Sequence, residues 1–204
     1  MLEKKRDNYL IQVESAKTYF LEYNQNNMIE RFKLDSDENF IYINFFHERH
    51  GINRLTGEVL RCNNNKTACF NAIMSIYDVL CYSKVDAVLS GEWQTLANLS
   101  VHSNFGASEK SIFNEEALKF LGKTDELAKA CVRLGGIETT KADVGFMFDA
   151  FPFLPVIFQY WDGDDEFEPR INILFDKNTL DYIHFETAWY VAGHLIELIE
   201  ADLI

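Results

Sequence analysis

The chain has 204 residues, 32 of them acidic against 19 Lys and Arg, for a formal charge of −13. At 48% hydrophobic and 25% charged residues it is too apolar to remain disordered and long enough to bury a substantial core. The negative charge opposes a phosphate backbone and no basic patch relieves it, so nucleic acid is excluded as an expected partner.

Residues 3–23 carry Leu10, Val13, Ala16 and Phe20 at helical spacing, which predicts an amphipathic helix. Asn24-Gln25-Asn26-Asn27 ends it, because short amides compete for backbone hydrogen bonds. The β-branched and aromatic run Phe40–Phe46, with turn signals at His50-Gly51 and Thr56-Gly57, predicts a small antiparallel meander over 31–61. A buried helix is expected over 67–83, with Phe70, Ile73, Ile76, Tyr77 and Leu80 on one face and Thr67 as its cap.

Ser90-Gly91-Glu92-Trp93 breaks the pattern. Helices are expected from Ser108 to Phe120, stopped by Gly122, and from Thr124 to Leu134, closed by Gly135-Gly136. From Val144 the period becomes two: strands are expected at 144–149, Val156–Trp161 and Ile171–Phe175, with a final helix at 185–203. No linker or repeat divides the chain. The expected fold class is α+β: one domain, 1–204, in which an antiparallel sheet (N-terminal meander and C-terminal hairpins) is packed by about five helices.

The mixed-charge start, Met1 to Asp7, lacks the apolar core of a signal peptide, and the longest apolar stretch, Val144–Trp161, is broken by Asp149, Pro152 and Pro155. A cytoplasmic protein with no membrane partner is therefore expected. Cys62, Cys69, Cys81 and Cys131 form no C-x-x-C pair and read as free thiols in a reducing compartment.

The charge is unevenly spread. Residues 138–204 hold 14 acids and only Lys141, Arg170 and Lys177 as bases, a net −11; the rest of the chain carries −2. The densest cluster is Asp162, Asp164, Asp165 and Glu166, four carboxylates in five residues at the turn between two aromatic strands. Oxygen ligands so crowded suit a hard divalent cation, for which Asp162, Asp164 and Glu166 are the candidate ligands. An EF-hand is excluded, since the glycine is second and Ile173 stands where the bidentate glutamate belongs. The same cluster suits a basic protein surface, and the adjoining Tyr160 and Trp161 suit a ligand with a flat apolar part.

Other reactive residues offer less. His47 and His50 are spaced for one metal ion but have no third ligand. His184 precedes the last helix and is the candidate base for a metal-dependent hydrolase, while His194, within that helix, reads as a core histidine. Cys69, near a helix start, is the best placed thiol. No P-loop, nucleophile elbow, dinucleotide fingerprint or H-E-x-x-H motif occurs.

Gly91-Glu92-Trp93, Leu134-Gly135-Gly136, Phe151-Pro152-x-x-Pro155, Trp161-Asp162-Gly163-Asp164-Asp165-Glu166-Phe167 and Leu174-Phe175-Asp176 follow one another in this order. That order resembles an uncharacterised bacterial family of anaerobes labelled a domain of unknown function, over roughly residues 5–200. Some of its members are joined to a cysteine-rich iron–sulfur domain similar to that of corrinoid methyl-transfer proteins. This chain has no four-cysteine motif, so any cluster would sit on another chain. The resemblance implies no reaction.

Three readings follow from the sequence. The first is a non-catalytic binding or accessory module whose acidic C-terminal third meets a basic protein surface, the resemblance implying an iron–sulfur or corrinoid protein as partner. The second is a divalent-metal-dependent hydrolase; the third, a small-molecule sensor or carrier. A homodimer through the aromatic strands is a further expectation.

Overall fold

A computed structural model describes residues 2–99, 113–139 and 141–203. Helix α1 (Leu2–Glu22) is followed directly by α2 (Gln25–Phe32). Asn24 both breaks the first and caps the second: its side chain accepts hydrogen bonds from the N–H groups of Asn26 and Asn27 at 3.1 and 3.2 Å. The amide-rich stretch read as a stop is thus also a start. In α1, Phe20 is buried, but Leu10 of the expected stripe is exposed.

Strands β1 (Asp35–Ser36), β2 (Phe40–Phe45), β3 (Glu48–Asn53) and β4 (Val59–Arg61) form the predicted meander, an antiparallel sheet in sequential order. Helix α3 (Phe70–Tyr82) follows. Its cap position is Cys69, while Thr67, the predicted cap, bridges to Leu60 at the sheet edge. The predicted start of the next helix at Ser108 lies outside the described residues; α4 is described over Asn114–Lys119 and α5 over Thr124–Arg133. Gly135 closes α5 with a positive φ of 83°, which a Cβ would strain.

A second sheet has the order β5 (Trp93–Thr95), β9 (Arg170–Asp176), β8 (Leu154–Trp161), β7 (Val144–Phe151), β6 (Ile137–Glu138), all antiparallel. The fold is therefore α+β as expected, but its strands divide into two sheets, and six α-helices are described. The sheets meet where Phe46 N–H donates to Ala150 carbonyl at 3.0 Å and Phe45 packs on Phe151, ring centroids 5.0 Å apart.

Helix α6 (Phe185–Asp202) lies against α3, and one continuous apolar core joins both sheets to the helices. Phe148, Phe151, Phe158, Tyr160 and Phe175 are fully buried there. The aromatic crowding of residues 146–161 is thus mainly core packing, the largest apolar burial the chain has available. Among the described residues, no helix is long and apolar enough to cross a membrane.

Candidate functional site

The acidic segment is the loop that joins β8 to β9, residues 162–169. Its carboxylates divide into two groups. Asp162 points inward: its Oδ1 accepts from Tyr160 hydroxyl at 2.8 Å and from the N–H groups of Gly122 and Gly163 at 3.0 Å. Partial burial works against that charge, but the three donors outweigh it and hold the Asp162 carboxyl below its usual range. Asp162 N–H in turn donates to Asp143 at 2.8 Å.

Asp164 closes the loop on itself. Its Oδ1 accepts from Glu166 and Phe167 N–H at 2.8 Å, and its own N–H donates to Phe167 carbonyl at 2.9 Å. Gly163 sits so close to Leu121 and Pro169 that an added Cβ would lie 3.0 and 2.8 Å from their side chains. The loop is therefore pinned to the α4–α5 junction by Gly122, Asp162 and Gly163.

What this rigid loop presents outward is Asp165, Glu166, Phe167 and Glu168, all exposed. Phe167 is 69% exposed, and Leu118 near the end of α4 and Leu121 just after it are 56% and 48% exposed. These three apolar side chains and the carboxylates of Asp164, Asp165, Glu166 and Glu168 line one shallow depression of about 490 Å³, with no Lys or Arg in its wall. On the loop's other flank a cleft of about 540 Å³ runs past Trp161 and Asp143, where the Arg170 guanidinium lies over the Trp161 ring, 4.4 Å from its centroid.

The residues predicted from sequence thus have unequal roles. Tyr160 is fully buried and holds Asp162, so it supports the loop and is not part of its surface. Trp161 is half-buried and already covered by Arg170. Asp162 and Asp164 each spend an oxygen on protein N–H and O–H donors, which compete with a cation for the same lone pairs. Among the described residues no three His, Cys, Asp or Glu side chains are grouped to hold a metal. Calorimetric titration with Ca²⁺ and Mg²⁺ is expected to give no binding at this loop tighter than about millimolar; a tighter site, abolished by Asp162→Asn, would restore the metal reading.

The histidines fall elsewhere. His47 is exposed while His50 is buried in β3, so the pair does not converge on one ion. His184 does not join the acidic loop: it caps α6 and is bound to Asp78 of α3, in a separate cleft. The packing of α3 on α6 brings together two residues 125 positions apart: Cys69 Sγ lies 3.5 Å from His194 Nδ1. Cys69 is exposed as a residue, but its sulfur lies against the His194 ring. Partial burial at that contact pushes the thiol up, and burial holds His194 down at about 4, so the resting pair is a neutral thiol and a neutral imidazole, not a thiolate with an imidazolium. Nothing in either local sequence signals this meeting.

The fold and loop define an α+β domain of two antiparallel sheets that displays an acidic, phenylalanine-tipped loop from the larger one. Residues 25–198 match the family described as Domain of unknown function (DUF3786), and the chain belongs to that family. No curated protein and no solved structure matches the chain.

Proposed function

We propose that this domain is a binding module that docks a basic, amphipathic segment of another protein on the β8–β9 loop and the adjoining end of α4. The observation that carries the reading is the division of labour among the carboxylates. Asp162 and Asp164 fix the loop from within, and Asp165, Glu166 and Glu168 are left around three exposed apolar side chains. An apolar centre with a charged rim is the anatomy of a transient protein interface. Exposing Phe167, Leu118 and Leu121 side by side has no value for solubility.

The rim carries charge of one sign, and the last third of the chain, this loop included, carries a net −11, so the complementary surface is cationic. An iron–sulfur or corrinoid protein, the partner class implied by the family resemblance, is the first to test. Affinity for the purified partner is expected to fall at least tenfold between 50 mM and 500 mM salt, since exposed charges are screened over roughly a Debye length. Phe167→Ala should weaken it about tenfold or more by removing the central anchor. Unchanged affinity in Phe167→Ala and in the triple change Asp165→Asn, Glu166→Gln, Glu168→Gln would refute the assignment.

A further inference from the structure

A second concave site lies between α1, α3 and α6, away from the acidic loop. It is a cleft of about 360 Å³ whose walls include Tyr19 of α1 and Tyr23 just after it, Tyr82 and Asp78 of α3, and His184 and Glu186 at the start of α6. No Lys or Arg lines it. Its polar groups are arranged with some care. Both oxygens of Asp78 face residue 184: Oδ2 accepts from the backbone N–H at 2.7 Å and Oδ1 stands 2.6 Å from the ring Nδ1.

A carboxylate only accepts hydrogen bonds, so the ring Nδ1 carries a proton and donates it to Asp78. The ring is held further by its contact with Tyr82, centroids 3.6 Å apart and planes tilted by 36°. Glu186 is oriented likewise, accepting from Tyr190 hydroxyl at 2.8 Å. The cleft therefore combines aromatic faces, two ordered carboxylates and an oriented imidazole, with no Lys or Arg in its wall.

We infer that this cleft is a small-molecule site for a protonated amine carried on a flat apolar body. The tyrosine faces attract a cation through their ring quadrupoles and cover the apolar part. The carboxylates of Asp78 and Glu186 supply the negative field that an ammonium group would meet. An anion of the same shape meets repulsion from both. The site is independent of the loop assigned to protein docking, and neither reading requires the other.

Phenethylamine is a suitable probe, with 3-phenylpropionate as the anionic control of similar shape. On titration at pH 7.5, followed by NMR of the His184 and Tyr82 rings, the amine is expected to shift both saturably with a Kd of about a millimolar or tighter. The propionate should leave both resonances in place. Asp78→Asn is expected to weaken the amine at least fivefold, and Tyr23→Leu, a change at a half-exposed position between α1 and α2 that the fold tolerates, about threefold. Should Asp78→Asn fail to fold, Tyr23→Leu decides alone. The inference is overturned if neither ring shifts at 10 mM amine, if propionate binds equally well, or if Tyr23→Leu leaves the Kd unchanged.

Discussion

Replacing Asp176 by alanine is expected to lower the stability of the fold by about 3 kcal/mol, seen as a fall in denaturant midpoint at an unchanged slope. Asp176 ends β9 and is 1% exposed. Its Oδ1 accepts from Ser90 N–H and hydroxyl at 3.0 Å and from Asn178 N–H at 2.8 Å, and its Oδ2 accepts from Gly91 N–H at 2.7 Å. Burial alone would raise this carboxyl, yet those donors hold it below its ordinary range. Truncation takes the acceptor from three backbone N–H groups, and solvent at the exposed Ser90 and Gly91 replaces only part of that charge-assisted network. It also releases the segment that leads into β5, the edge strand paired to β9. Asp176→Asn should cost less, because its oxygen keeps part of the network. A loss below about 1 kcal/mol in Asp176→Ala would show that the 90–91 segment is held by other means.

The second large effect is a loss of stability in mild acid. His194 is 8% exposed, stacked on Phe45 at 4.9 Å, and burial first, then the neighbouring His50, keep its pKa at about 4 against 6.5 for the free side chain. A histidine depressed in the fold binds its proton in the unfolded chain first. Stability is therefore full above pH 6.5 and declines as the pH falls toward 4, by up to about 3 kcal/mol from this residue. His50 is fully buried and shifted in the same direction by burial, so it adds to the slope. Urea midpoints measured from pH 7.5 to 4.5 should decline steeply in the wild type and much less in His194→Leu, whatever the variant's absolute stability. Equal slopes in both proteins would contradict a buried neutral His194 as the cause.

The legible parts of this fold were those with strong periodicity. The aromatic alternation at 144–161 marks a strand pair because Val144, Phe146 and Phe148 all face one core, and the stop at Gly135 follows from its positive φ. Short elements were hidden by residues with two uses. Asn24 reads as a terminator, yet its side chain starts α2, and Ser90-Gly91-Glu92-Trp93 reads as a break although Trp93 opens β5, the sheet edge beside β9. The quoted motif pieces have structural reasons that spacing alone does not disclose: Gly91 and Asp176 stand 85 positions apart but share a hydrogen bond.

At the acidic loop the sequence identifies the cluster and its neighbours but not which carboxylates are spent. Asp162 is recruited inward by Tyr160 and Gly122, contacts set by the packing of the α4–α5 junction. The role of Phe167 was missed for the opposite reason: in a chain with 17 phenylalanines one more aromatic beside a strand reads as core. The tyrosine cleft was hidden because Asp78 and His184 lie 106 positions apart and meet only once α3 and α6 are packed.

Binding of another protein at the loop face around Phe167 can be read in the cell. A photo-crosslinking amino acid placed at 167 in the producing cell tests it most directly, with the same group at Leu55, 86% exposed on the β3–β4 turn, as the reference position. One dominant adduct is expected from position 167, absent at 55, whose crosslinked segment carries a net positive charge and an apolar face. Equal adducts from both positions, no adduct from 167, or a segment that is neutral or acidic would contradict it.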